Sequence, residues 1–571
     1  MDTKTYRERR LPARYVVLPS LLALFSGSVS AQTPPDAGSL LRREESTRPP
    51  VLPSQPLSAP VIEAMPKAAE SIKVVVKGFR ILHASLIPES ELTPLLEKYI
   101  GREVSFGELR QAAAKIGEYY RSKGYLARAY LPRQEVKDGI VEIVVLEGRL
   151  GGLRIEPAHR ATEALVRPYF DAKLGEALRL NALEHALLLI NDIPGVSAVS
   201  YLEPGDHDGE SIAVVRVEDR PVLVGQVQAD NSGSKSTGRE RLIANASLND
   251  RFGFGDQFAA FGTHSVGNDY ANFSASLPIG ASGLRAGLQA SALHYQLGNG
   301  FAALDASGSA TTWGLTASYP FIRTPAANLS GSTSWDAKHF VNRALGAETS
   351  NKTTRPFSLG LSGNILDTKG GGGNTSGGMT LTNGQLDLAG SSGDLASDQL
   401  GPQRNGTYRK LAWSVSRLQR LPGNWSLWAS ATGQSASRNL DSSEKFALGG
   451  PTGVRAYAIS EASGDEGWLV NLEARYAFNS AWQATAFVDS GEATLNRSPW
   501  AGWNAGNPGL PNRYRLSGAG VSLAWNGPSN LTLRTTAAWR LGNNPGLDAN
   551  GKDSEGGNAS NRIWLQAGWA F

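Results

Sequence analysis

Two charged residues stand where charge is otherwise scarce. The stretch Phe446-Ala-Leu-Gly-Gly-Pro-Thr-Gly-Val-Arg-Ala-Tyr457 is rich in glycine, lies between two alternating segments, and carries Arg455 as its single charge. Further on, Trp482-Gln-Ala-Thr-Ala-Phe-Val-Asp489 alternates strictly. Period two puts Trp482, Ala484, Ala486 and Val488 on one face and Gln483, Thr485, Phe487 and Asp489 on the other. If the second face lines the inside of a closed barrel, Asp489 is a carboxylate in a confined wall and needs a cation. A loop folded inward with one arginine supplies a planar fork for a doubly bonded pair. The chemistry expected of this pair is structural. No second carboxylate or histidine accompanies Asp489, so general acid–base catalysis is not expected. His83, His159, His185, His207, His264, His294 and His339 are scattered without metal-ligand spacing. No glycine-rich loop ends in Gly-Lys-Ser/Thr, and the Gly370–Gly373 run reads as a flexible connection. No serine-centred nucleophile elbow is found. The expectation is no enzyme activity, no cofactor and no metal.

The loop resembles the sixth-loop motif (Val-Arg-Gly-Tyr) of the Omp85 superfamily of outer-membrane barrels, and the strand resembles its Phe-x-Asp partner. The resemblance implies a lock in which Arg455 meets Asp489, with Phe487, Gly491, Val454, Tyr457, Gly449 and Gly450 shaping the contact. Ala456 stands where the superfamily usually has glycine. If that position takes a positive φ, alanine adds strain.

The elements that must position this pair follow from the chain order. Residues 1–31 read as a secretory signal: Lys4, Arg7, Arg9, Arg10 and Arg14, then a short apolar core from Tyr15 to Phe25, then Val29-Ser30-Ala31 before Gln32. The formal net charge of the chain is +4. The signal carries those five basic residues against Asp2 and Glu8, so its removal leaves a net charge of about +1 and no case for nucleic acid. There is no cysteine, hence no disulfide framework and no thiolate metal site. No later run reaches about 18 apolar residues, so no membrane helix follows. Glycine (64) and tryptophan (13) are nevertheless frequent, as in an exported transmembrane barrel.

Residues 32–46 hold a short helix over Asp36–Glu45, about 15 Å long, with Asp36 or Ser39 as cap. It is too short to be stable alone. Residues 47–70 form a proline-rich linker, and the stretch Ser46–Pro66 reaches up to roughly 65 Å at about 3.1 Å per residue. Residues 71–150 and 151–219 read as two small α/β modules of order β-α-α-β-β. In the first, Lys73–Val76 opens as a strand, Glu89–Tyr99 is a helix, and Ser105-x-x-Glu108 is a capping box. In the second, Ala161–Phe170 is a helix and Asn181-x-x-Glu184 caps another. Tyr119-Tyr-Arg-Ser-Lys-Gly-Tyr125 with Leu146-Glu-Gly148, and Asn191-Asp-Ile-Pro-Gly-Val196, resemble the first and second polypeptide-transport-associated (POTRA) domains of two-partner transporters. Each module leaves a sheet edge on which an extended chain could pair.

From 220 to 571 alternation dominates. Strands near 408–420 and 425–435, 466–478 and 482–493, and 516–526 and 531–540 join through short turns. The connections 388–406, 436–465, 494–515 and 541–560 are long. Short turns on one side and long loops on the other describe an outer-membrane barrel, here of about sixteen antiparallel strands. A charge facing lipid at the midplane costs about 2–4 kcal/mol, so Glu473, Arg475 and Arg534 should face the lumen. Ile563, Leu565, Ala567, Trp569 and Phe571 form one apolar face, which resembles the terminal signal read by the barrel assembly machinery.

Taken together, signal, helix, proline tether, two modules and barrel resemble the TpsB transporters of two-partner secretion, the haemolysin secretion/activation family. The resemblance implies a β-rich outer-membrane protein with its POTRA domains in the periplasm and its short helix plugging the barrel. It would bind one large unfolded secreted exoprotein (TpsA type) and pass it through the pore, in contact with outer-membrane lipid and as a monomer. The alternatives are an Omp85-type insertase for other barrels and a passive porin.

Overall fold

The computed structural model describes residues 34–47, 73–170, 175–207 and 209–571. The expected signal and most of the proline linker lie outside the described residues.

The first module packs a three-stranded sheet against the helix Phe106–Ser122. Leu109, Ala113, Ile116 and Tyr120 recur at helical spacing and are buried against Val141, Ile143 and Val145. The capping box is present: Ser105 Oγ accepts from Glu108 N at 3.3 Å, and Ser105 N donates to Glu108 Oε2 at 2.8 Å. Three expectations need correction. The strand Lys73–Val75 pairs with Glu103–Ser105 in a separate ribbon, and the sheet instead begins with Gly78–Leu82, parallel to Ile140–Glu147. The helix expected over Glu89–Tyr99 is only Glu89–Leu92, followed by two tight turns. Pro94 is the cause, since it disfavours helical backbone at the residue before it and lacks an N–H. The boundary between the modules, placed at 150/151, falls inside the strand Arg149–Glu156, which follows Ile140–Glu147 with only Gly148 between.

The second module repeats the plan. Arg149–Glu156 lies parallel to Glu210–Asp219, which pairs antiparallel with Val196–Pro204. Its first helix is again cut short at a proline, with Glu163–Val166 helical and Pro168 in the next turn. Asn181 does not cap the second helix. That helix spans Leu180–Asn191 and places Asn181 inside its first turn.

The barrel closes when Asn561–Ala570 pairs with Leu223–Asp230. It has sixteen antiparallel staves, one of them built from Ala347–Thr354 and Phe357–Asp367. Pro356 interrupts that stave because it cannot donate to the ladder. Alternation sorts the faces as sequence phase requires. Trp313, Leu315, Leu359, Leu472, Val488 and Leu523 are exposed on the outer wall, where lipid covers them. The four long connections named above lie at the end away from the modules. At that same end, Val266-Gly267 and Leu345-Gly346 are hairpins of only two residues, so loop length alternates mainly in the C-terminal half.

The second module is joined to the barrel rim by more than chain continuity. Arg323, at the end of the stave Ser307–Arg323, donates to both oxygens of Asp192 at 2.7 Å, and its side chain is 5% exposed. His185 Nδ1 lies 3.1 Å from Arg323 O. Without Asp192, Arg323 keeps Asn328 Oδ1 at 2.8 Å but loses its carboxylate, at about 1–3 kcal/mol. Asp192→Ala is therefore expected to loosen the module by that amount, read as faster hydrogen exchange over 180–191. The exchange Asp192→Arg with Arg323→Asp should recover part of the loss.

Candidate functional site

The site is built where the loop between Trp425–Ala436 and Glu466–Ala477 turns back into the barrel. Phe446–Ala447 pairs with Ser463–Gly464 as a short ribbon, which aims the tip inward. The tip is fixed by its own backbone: Gly449 N donates to Glu461 O at 3.0 Å, Val454 N to Leu448 O at 2.8 Å and Tyr457 N to Val454 O at 3.1 Å. Gly450 takes φ +114°, a conformation that a side chain disfavours.

Arg455 and Asp489 are brought together. Arg455 Nη2 donates to Asp489 Oδ1 at 2.7 Å and Nε to Oδ2 at 2.9 Å; the backbone N of Arg455 also donates to Oδ2 at 3.0 Å. Asp489 is 0% exposed. The guanidinium lies 3.5 Å from the centroid of the Phe487 ring, so the ring that shares the aspartate's face also seats the cation. Gly491, one step further along that face, leaves the space that Leu448 fills. Val454 and Tyr457 are buried with Leu448, Leu469 and Leu516 in an apolar cluster between tip and wall.

Several members were not singled out from the sequence. Glu473 Oε1 accepts from Arg455 Nη1 at 2.7 Å, and Arg475 Nε donates to the other oxygen of Glu473 at 2.7 Å. Asn471 Nδ2 donates to Asp489 Oδ1 at 2.7 Å, and Trp564 Nε1 to Arg455 O at 2.8 Å. The alternation of Glu466–Ala477 put Asn471, Glu473 and Arg475 on the lumen face. Their pairing with the loop needed the register Asn471↔Asp489, which the sequence does not display. Arg534 lines a luminal cavity with Arg455.

Ala456 carries no strain of the kind expected. It is not among the positive-φ residues; besides Gly450, those of this loop are Ser460 (+63°) and Ala462 (+55°). The methyl group is accommodated across the barrel wall instead. A Cβ at Gly518 would lie 2.7 Å from Ala456 Cβ.

The short N-terminal helix, Ala37–Thr47, also lies inside the barrel. Asp36 caps it, accepting from Ser39 N at 3.0 Å. Leu40 and Leu41 pack on Phe261, Tyr270, Leu293 and Phe340. Lys338 Nζ holds Glu45 at 2.8 Å. Lys352 Nζ holds both Asp36 (3.1 Å) and Asp441 (2.6 Å), and Asp441 belongs to the base of the inward loop. Arg42 donates to Lys445 O. The cavity left between helix, loop tip and wall has a volume of about 620 Å³ and is lined by Arg42, Arg43, Arg241, Lys410 and Arg534 among others.

The family model for haemolysin secretion/activation proteins ShlB/FhaC/HecB matches residues 209–520, and that for the ShlB-type POTRA domain matches 74–148. The chain belongs to the haemolysin secretion/activation protein family. Among curated relatives, the heme/hemopexin transporter protein HuxB of Haemophilus influenzae is 28% identical over 560 residues, covering 94% of this chain and 97% of the relative. The outer membrane transporter CdiB of Dickeya dadantii is 27% identical over 440 residues (74% and 76%). The hemolysin transporter protein ShlB of Serratia marcescens is 25% identical over 437 residues (74% and 75%). Among solved structures, CdiB from Escherichia coli superposes with a TM-score of 0.68 at 22% identity, covering 90% of this chain and 94% of that one. This likeness shows the same fold. The chain is thus an outer-membrane transporter of the two-partner secretion type, with its POTRA region in the periplasm and its barrel as the route for an exoprotein.

The fit of Ala456 against Gly518 can be tested directly. Gly518→Ala is expected to displace the tip at a cost of about 1–3 kcal/mol, and Ala456→Gly in the same chain to recover much of it. In this cysteine-free chain, a cysteine placed at Thr452 reports the tip: its maleimide labelling should rise in Gly518→Ala and fall again in the double variant.

Proposed function

We propose that the barrel is held shut at rest by two removable inserts, the N-terminal helix and the inward loop, and that an unfolded exoprotein displaces them. The observation that carries this reading is how the inserts are held. The helix is bound by ion pairs, side-chain hydrogen bonds and a small apolar patch, and no strand ladder joins it to the wall. It can leave without unzipping the barrel. The loop tip is likewise bound through Arg455, Asp489, Glu473 and an apolar cluster.

In this reading the Arg455–Asp489 pair is the lock that sets the conformation of the pore. Phe487 and Gly491 shape the wall side of the contact, and Gly449, Gly450, Val454 and Tyr457 shape the loop side. The exoprotein arrives extended, pairs with a sheet edge of the POTRA modules, and threads upward. Folding outside the cell draws it on, since the chain has no nucleotide site of the Gly-Lys-Ser/Thr type. One copy of the chain suffices. The terminal strand serves recognition by the barrel assembly machinery: Phe571 exchanges two backbone hydrogen bonds with Gly225, each 2.9 Å. Neither metal nor cofactor is required by any of these steps, and no catalytic group is assigned.

Arg455→Ala is expected to leave a heat-modifiable, membrane-inserted barrel and to lower exoprotein in the medium sharply. Secretion at the wild-type level would overturn the lock. Depletion of the transporter should remove one exoprotein from the medium; loss of many outer-membrane proteins would point to an insertase.

A further inference from the structure

The periplasmic turn between the staves Arg241–Asn249 and Gln257–Ser265 has a composition that a solvent turn does not need. It reads Asp250-Arg-Phe-Gly-Phe-Gly-Asp256 and exposes two phenylalanines, Phe252 at 62% and Phe254 at 69%. The turn is firmly built. Asp256 accepts from Arg251 N and Phe252 N, both at 3.0 Å, and Asp250 accepts from Gly255 N at 2.8 Å. Both aspartates are buried. Two aromatic rings held outward on a rigid turn mark a surface that meets something apolar.

Position says what that is. Phe252 stands edge-on to Phe258 at 6.0 Å, and Phe258 stacks on Phe273 at 6.4 Å. Phe273 is exposed on the outer wall of the barrel. The turn therefore continues the lipid-facing aromatic surface past the end of the strands, at the level where aromatic side chains and lipid headgroups meet. On its other side the turn meets the second module, since Gly253 lies against Arg160 O. The cleft between them, about 620 Å³, is lined by His159, Arg160, Thr162, Val222, Arg251, Phe252, Gly253 and Phe254. No carboxylate lines it. Arg160 is partly neutralised by Asp219 at 4.0 Å, whereas Arg251 has no ion pair among the described residues.

We propose that this cleft seats the phosphate headgroup of an anionic phospholipid of the periplasmic leaflet, with Arg251 and Arg160 on the phosphate and Phe252 and Phe254 among the acyl chains. The proposal rests on the barrel lying in the outer membrane. Charge complementarity and continuity with the lipid-facing wall both select a lipid as occupant. A guanidinium gives a phosphate two parallel hydrogen bonds, and the rings beside it give acyl chains an apolar contact that a free ion cannot use. A lipid held there would tether the second module to the membrane plane, beside the Asp192–Arg323 contact.

Native mass spectrometry on the full mature chain in detergent tests the seat, with phosphatidylglycerol, phosphatidylcholine and inorganic phosphate as probes. The wild type is expected to retain one phosphatidylglycerol, and the variant Arg251→Ser, Phe252→Ser, Phe254→Ser to bind it about ten-fold more weakly. Phosphatidylcholine should be retained less, and inorganic phosphate should not displace the lipid. Equal retention by wild type and variant, or displacement by inorganic phosphate, would overturn the proposal. Heat-modifiable migration shows whether the variant barrel has folded. A second measurement keeps both arginines and Phe252. The chain has no cysteine, so Phe254→Cys carries a single nitroxide. In vesicles of phosphatidylethanolamine and phosphatidylglycerol this label should relax with oxygen more than with an aqueous nickel chelate. The reverse order would also sink the seat. A wild-type chain that secretes its exoprotein yet retains no lipid refutes the seat alone and leaves the transport reading standing.

Discussion

The inward loop of this barrel answers to one electrostatic constraint. A carboxylate with no solvent contact, Asp489, has to be satisfied by donors from the protein. Two come from the Arg455 guanidinium, one from the Arg455 backbone and one from Asn471. Three of the four therefore belong to the loop. Withdraw the loop and the aspartate keeps Asn471 alone, in a lumen that must then admit water to hydrate it. The closed state and a flooded pore are two ways of satisfying the same charge. The second acid, Glu473, shares the guanidinium and is itself held by Arg475. The wall thus retains a compensating cation when the loop leaves, and the site does not become a bare pair of negative charges.

The rest of the lumen follows the same division. A water-filled barrel would be polar throughout its inner face. Here two apolar islands interrupt that face on different parts of the wall. One, with Phe261, Tyr270, Leu293 and Phe340, receives Leu40 and Leu41 of the helix. The other, with Leu469, Phe487 and Leu516, receives Val454 and Tyr457 of the loop. Polar contacts fix the register of each insert, and the apolar islands add attraction. Lys352 joins the two systems, because it binds Asp36 at the start of the helix and Asp441 at the base of the loop. Without the helix, Lys352 would keep Asp441 and Ser442 Oγ (3.4 Å), both at the loop base. Helix and loop base are also joined by Ser442 Oγ, which donates to Asp36 Oδ2 at 2.6 Å, and by Arg42 on Lys445 O.

Much of this was legible in the sequence, and the reasons are local. Alternation told the two faces of Trp482–Thr494 apart, and a lone arginine in a glycine-rich loop singled out the partner of Asp489. The cap at Ser105 and the short turns of the C-terminal half were likewise written in adjacent residues. What was missed depends on register or on proline. Asn471, Glu473 and Trp564 enter the site only through pairings across strands or from the far end of the chain, and no spacing announces them. The helices expected over Glu89–Tyr99 and Ala161–Phe170 are shortened because Pro94 and Pro168 lie inside those spans. The luminal islands were invisible for a different reason. An inward Phe or Leu in an alternating strand looks like an outward one until the phase of the whole strand is fixed.

Ala456 shows how far a local rule can mislead. The expectation of strain came from treating position 456 as a backbone problem. The structure makes it a packing problem and solves it on a stave that is remote in sequence. Gly518 lacks the one atom that would collide with the alanine methyl, and Gly520 on the same face leaves room for the Phe487 ring that seats Arg455. The inner face of Arg513–Asn526 has been thinned along the line where the tip and its aromatic support lie. Substitutions at 456, 487, 518 and 520 are therefore not independent. A residue added on the loop is compatible with the lock only where the wall has given up matching volume.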